Sequence, residues 1–188
     1  MRAAIQIFLV MLASTAFCMQ PATLKLGSKC AIRFTDIDGR PLATDDGHVL
    51  LLVMINREDE AKAQQLGDAV PGRFIGNPNY RVVTVVHLDD VISNSLRPFT
   101  CMLLRRHRET HIADMRKVYQ ARHLKSDPAA DIFAVGDFDG AISKQLNVQG
   151  NQFAVFVFGR NGRLFGNWSD IPTVESLSAA MTTADTAN

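Results

Sequence analysis

Val49-Leu50-Leu51-Leu52-Val53-Met54-Ile55 is a continuous apolar run of strand length, bounded by Gly47-His48 on one side and Asn56 on the other. Seven apolar residues without polar alternation describe a strand buried on both faces, as in the middle of a parallel sheet covered by helices. The run is followed at once by Asn56-Arg57-Glu58-Asp59-Glu60. Asn56 is placed to cap a helix whose first turn carries acids suited to its positive end, with Ala61, Leu66 and Val70 on the apolar side. After Pro71 and a loop, Tyr80-Arg81-Val82-Val83-Thr84-Val85-Val86 is a second β-branched run, so two parallel strands joined by a helix are expected.

Further along, residues 88–98 are polar and irregular, and 105–125 turn helical, with Ile112, Met115, Val118, Tyr119 and Leu124 at helical spacing. This helix is expected across the sheet. Ile132-Phe133-Ala134-Val135 predicts a short strand, Asp137-Phe138-Asp139-Gly140 a turn, and 141–146 a short helix. Phe153 to Phe158, the turn Gly159-Arg160-Asn161-Gly162 and Arg163 to Trp168 predict an antiparallel hairpin. Pro172 precedes a closing helix over 173–181, and 182–188 is expected to be a disordered polar tail. Before the central run, Ala31 to Thr35 alternates as a strand and Asp38-Gly39 turns it, an N-terminal hairpin.

The whole chain has 188 residues, 47% hydrophobic, which suits one core and falls short of two. Lys plus Arg number 20 against 19 Asp plus Glu, a net charge of +1, so no global field draws the protein to nucleic acid. Residues 1–22 resemble a cleaved secretory signal: Arg2, an apolar run from Ala3 to Met19, and the small residues Ser14 and Ala16. The mature domain is expected over 23–181, in the periplasm or outside the cell, with no later segment long enough to span a membrane. Lipoprotein processing at Cys18 is a minor alternative, because Phe17 stands where such signals carry a small residue. In an oxidising compartment Cys30 and Cys101 either pair or remain two isolated thiols, and the spacing decides neither.

Thr35-Asp36-Ile37-Asp38-Gly39-Arg40-Pro41-Leu42 before the central strand, and Phe153 to Arg163 after it, resemble exported members of the thioredoxin-like superfamily. Val83 to Asp90, with no cysteine pair, is most similar to the YtfJ-type periplasmic proteins. The resemblance covers residues 31–181 and implies an α/β three-layer sandwich, a central mixed sheet with helices on both faces, extended by the hairpin. It also implies a Cys-x-x-Cys at the helix start after the central strand, where the dipole lowers a thiol pKa. Here Asn56, Arg57, Glu58 and Asp59 occupy that place, and acids raise a thiol pKa. The proline that such proteins carry before the late strand is replaced by Gly150-Asn151-Gln152. The resemblance therefore implies the fold and argues against the redox activity usually found on it.

Other constellations are weaker. His107, His111 and Asp114 share helical spacing that suits a metal, but Arg105, Arg106 and Arg108 oppose a cation. The segment 97–125 holds Arg97, Arg105, Arg106, Arg108, Arg116, Lys117, Arg122 and Lys125 against Glu109 and Asp114, a net of +6; residues 34–70 carry a net of −5. A basic face for an acidic envelope partner or an anionic surface is one outcome, and a helix solvated near its own acids is the other. Trp168 suits either a ligand platform or the sheet edge. Asp137 and Asp139 are accounted for by an Asp-Gly turn, and Asp89-Asp90 is a second carboxylate pair. No nucleotide-binding or hydrolase motif occurs, and no cofactor is implied. The expected function is a non-catalytic binding module, with thiol chemistry at Cys101 resolved by Cys30 as the alternative.

Overall fold

The computed structural model describes residues 24–88, 95–149 and 152–187. The signal segment with Cys18, the Asp89-Asp90 pair and the Gly150-Asn151 position before the late strand lie outside the described residues.

The apolar run forms β3 (Val49–Ile55) at the centre of a five-stranded sheet, after a separate hairpin of β1 (Arg33–Thr35) and β2 (Pro41–Ala43). The chain continues through α1 (Glu60–Ala69), β4 (Tyr80–His87), α2 (Arg97–Ala121), a 3-10 turn (Pro128–Ala130), β5 (Ile132–Asp137) and α3 (Ala141–Leu146). β6 (Ala154–Phe158), β7 (Leu164–Trp168) and α4 (Val174–Thr186) complete it. Sheet order is β5-β4-β3-β6-β7; β3, β4 and β5 are mutually parallel, and β6 runs antiparallel to its neighbours β3 and β7.

Because successive side chains of a strand point to opposite faces, β3 feeds two cores. Leu50, Leu52 and Met54 join Val83, Val85, Phe133, Phe156 and Phe158 under α3 and the hairpin residues Ile32, Phe34 and Leu42. Val49, Leu51 and Val53 join Val155, Val157, Leu66 of α1 and Leu177 and Met181 of α4. The α/β layering, the mixed sheet and the N-terminal hairpin are those expected. At the turn into β7, Gly162 has a φ of 76°, a left-handed conformation that strains any side chain, and a Cβ there would also stand a tight 3.1 Å from the Cys30 carbonyl.

Four expectations are corrected. Asn56 does not cap α1; the helix begins at Glu60 with Asp59 before it. Helix α2 starts eight residues early, at Arg97, because Pro98 suits a first turn, where no amide is needed; Cys101 is therefore helical. Its tertiary contacts concentrate on β5 and the 3-10 turn, at the sheet edge. The expected disordered tail continues α4 to Thr186, held by burial of Ala184 and by Asp185 bonded to Arg160.

Candidate functional site

Three helices begin beyond the carboxyl ends of the parallel strands, the edge where open α/β sheets place their ligands. The first start, after β3, is Asn56-Arg57-Glu58-Asp59. The Asn56 side-chain oxygen accepts from the Glu58 amide at 2.6 Å, and Asp59 turns back to accept from the Asn56 amide at 3.2 Å. Asp59 is buried and stands at the N-cap position of α1, but its carboxylate bonds the preceding turn rather than the first amides of the helix. Asn and Asp side chains bond nearby backbone in this way more readily than they propagate helix, which is why α1 is delayed to Glu60.

Helix α3 begins where expected, at Ala141, but Asp137 does more than shape the Asp-Gly turn assigned to it. Asp137, 2% exposed at the end of β5, accepts from the Ile142 amide at 3.1 Å, the Ser143 amide at 2.9 Å and the Ser143 hydroxyl at 2.5 Å. His87, its register partner across β4 and β5, places Nδ1 3.1 Å from the Ser143 oxygen. The serine proton is committed to Asp137, so its oxygen accepts from His87 Nδ1–H. A Ser-His-Asp nucleophile needs the reverse order, with the serine proton facing the imidazole and the imidazole facing the acid. Ser143 is also buried. The cluster therefore caps a helix. Asp137 and Ser143 are close enough in sequence to have been recognised as a cap, whereas His87 joins them only through strand register.

Cys30 and Cys101 are free thiols. Cys30 donates its amide to Gly162 in the β6–β7 turn, beside the start of β3, and burial pushes its thiol pKa up. Cys101 lies on the second turn of α2, between Arg97, stacked 5.1 Å over Phe138, and Arg105, bonded to the Ile37 carbonyl. The two sulfurs thus belong to opposite ends of the sheet.

The metal candidates are not gathered. Asp114 binds Lys117 at 2.7 Å, His107 faces Glu60 at 3.8 Å, and His111 stands between them on the helix. Among the described residues no group of three His, Cys, Asp or Glu side chains is placed to hold a metal ion.

The two charge poles meet inside the chain. Asp38 in the hairpin turn takes Arg105 Nε and Arg108 Nη1, both at 3.0 Å, while Arg108 also donates to the Ile132 and Ala129 carbonyls. Asp36, buried, holds the Arg40 side chain at 2.6 Å and the backbone amides of Asp38 and Arg40. Arg116 pairs with Asp127 and Lys117 with Asp114. Of the basic residues singled out on α2, Arg97 and Arg106 have side chains without an ion pair or hydrogen bond among the described residues; Arg97 is stacked over Phe138, and Arg106 has no such contact. Trp168 packs against the core of β3, α1 and α4 and lies across Gly166. Among the described residues no helix is long and apolar enough to cross a membrane.

No family model matches the chain. No curated protein matches it. Solved structures do. A thioredoxin-like protein from Aeropyrum pernix superposes with a TM-score of 0.54 at 13% identity, covering 81% of this chain and 89% of that one. A candidate thioredoxin from Neisseria meningitidis gives 0.52 at 15% identity, covering 85% and 91%. A candidate electron transfer protein from Aquifex aeolicus gives 0.51 at 13% identity, covering 86% and 99%. At such identities the likeness carries architecture, not activity. The chain has the thioredoxin-like fold, with a sulfur-free turn where its central strand meets its first helix.

Proposed function

We propose that the protein is an exported, non-catalytic binding module built on the thioredoxin-like fold, related in kind to the YtfJ-type periplasmic proteins. The observation that carries this is the turn from Asn56 to Asp59. The helix start that would activate a thiol holds a buried carboxylate instead, bonded to the Asn56 amide. A carboxylate there is held by the preceding turn and supplies no thiolate for disulfide exchange. Export rests on the signal-like residues 1–22 and gives the protein an envelope or extracellular setting.

The alternative is thiol chemistry at Cys101. It is favoured by Arg97 and Arg105 one turn away on either side, and opposed by the engagement of both guanidinium groups with Phe138, Asp38 and the Ile37 carbonyl. Cys30, at the other end of the sheet, is not placed to resolve a Cys101 intermediate.

The test is alkylation and mass spectrometry of the mature protein, with and without peroxide, beside an insulin-reduction assay. The expected result is two thiols that oxidise only with excess peroxide, and no reduction of insulin above a Cys30→Ser/Cys101→Ser control. Stoichiometric oxidation of Cys101 by substoichiometric peroxide, or cysteine-dependent turnover, overturns the binding-module reading. Mass spectrometry of the same sample locates the mature N-terminus and tests export.

A further inference from the structure

The outer side of α2 is apolar where a surface helix is ordinarily polar. Leu96, just before the helix, with Phe99, Met102 and Leu103 in its first two turns, are exposed by 53, 56, 52 and 40%. At about 100° per residue they fall in one arc, opposite the side on which Ile112 and Tyr119 are buried. None of the four belongs to either core. Arg106 follows on the same arc one turn later and has no acid partner among the described residues, while Arg105, Arg108, Arg116 and Lys117 are paired and Arg97, off this arc, is stacked over Phe138. The first turn of α2 carries no acid. The surface is therefore a short apolar stripe ending in one free positive charge.

We propose that this stripe docks a short amphipathic peptide segment of a partner protein, with apolar side chains on Leu96, Phe99, Met102 and Leu103 and a carboxylate on Arg106. The proposal deepens the binding-module reading and rests on it. Size and charge select the occupant. Four side chains about half exposed present roughly 400 Å², the range of functional apolar patches on monomers. A stable pair of copies needs about 800 Å² from each partner, so the stripe alone is too small for self-association. An anionic membrane surface contributes about 1 kcal/mol for each basic residue near it, so it favours several free cations, and this arc offers one. A peptide presenting apolar residues at helical spacing and one acid a turn further on matches both the length and the sign.

The test is selection of displayed random dodecapeptides on the full mature protein, followed by synthesis of the enriched sequences and fluorescence polarisation. Enriched peptides are expected to carry two or three apolar residues and an Asp or Glu. Phe99→Ser with Leu103→Ser is expected to weaken them about tenfold or more, as loss of central apolar anchors does. Arg106→Glu is expected to shift the selected charge from acid to Lys or Arg. Circular dichroism confirms that the variants stay folded, since the altered side chains are exposed. No enrichment, or peptides that bind the double variant equally, overturns the proposal. Phe99-dependent sedimentation with phosphatidylcholine–phosphatidylglycerol vesicles assigns the stripe to lipid and overturns it. A dimer that Phe99→Ser dissociates assigns it to a second copy and overturns it too. Silent thiols with no peptide binding sink this proposal alone, and active thiols with peptide binding intact sink only the non-catalytic reading.

Discussion

Helices α1 and α3 both begin where a parallel strand of the same sheet ends, and both meet an aspartate there, yet the two starts are built differently. At α3 the carboxylate of Asp137 lies under the helix, takes two amides and a hydroxyl, and is covered by His87 from the neighbouring strand. At α1 the carboxylate of Asp59 serves one amide of the turn that precedes the helix, while Asn56 serves another. Only Asp137 takes amides of the helix it precedes. The difference lies in what each acid costs to remove: Asp137 takes two amides and a hydroxyl in a buried place, whereas Asp59 takes one amide of a half-buried turn. The fold thus places its tightly held polar cluster at the start of α3, and leaves a simple turn without sulfur at the start of α1.

Substitutions that unmake one start and spare the other break this comparison most directly. Asp137→Ala is expected to lower stability by about 3–4 kcal/mol in urea titration, because two buried amides and the Ser143 hydroxyl lose their acceptor. A loss near that of a surface cap would show that the cluster is not held as described. Asp38→Ala removes the acid that Arg105 and Arg108 share. Because the Arg108 side chain is only 10% exposed, the expected cost is about 1–2 kcal/mol, partly reproduced by high salt. Asp59→Ala is expected to cost about 1 kcal/mol, the ordinary net value of one lost hydrogen bond, and equality with Asp137→Ala would erase the contrast between the two starts.

A smaller effect tests the opposite edge of the sheet. There the hydrogen bond from Arg160 holds the Asp185 carboxyl below its usual range. A depressed carboxyl stabilises the fold above the unfolded pKa of about 4 and loses that contribution as the pH falls through the folded value. Arg160→Ala is therefore expected to flatten the stability curve in that acid window and leave Asp137-dependent stability at neutral pH untouched. An unchanged acid limb would show that Arg160 does not control Asp185.

Much of the sheet was legible because its signals are local. The unbroken run Val49–Ile55, the β-branched run ending near His87 and the Gly159–Gly162 turn each carry their own periodicity or turn chemistry. Element ends were less legible. Pro98 can open a helix or interrupt one, and the polar residues after Met181 have no periodicity that shows Ala184 to be buried. Of the site, the absence of sulfur at Asn56–Glu60 was plain, since it depends only on which residues follow the central strand. The pairing of Asp38 with Arg105 and Arg108 was not, because residues about seventy positions apart meet through the turn of a hairpin.

The sequence alone determined the fold class, the central strand, the N-terminal hairpin and the lack of a thiol at the first helix, all of which follow from side-chain type and spacing along one segment. Tertiary structure alone decided that Asp38 of the acidic segment meets Arg105 and Arg108 of the basic one, that Cys30 and Cys101 stand at opposite ends of the sheet, that His87 closes over Asp137 and Ser143, and that Arg106 and an apolar stripe remain outside. Those outcomes depend on strand register and on which side of a helix meets the sheet, and both are set by packing between segments distant in sequence.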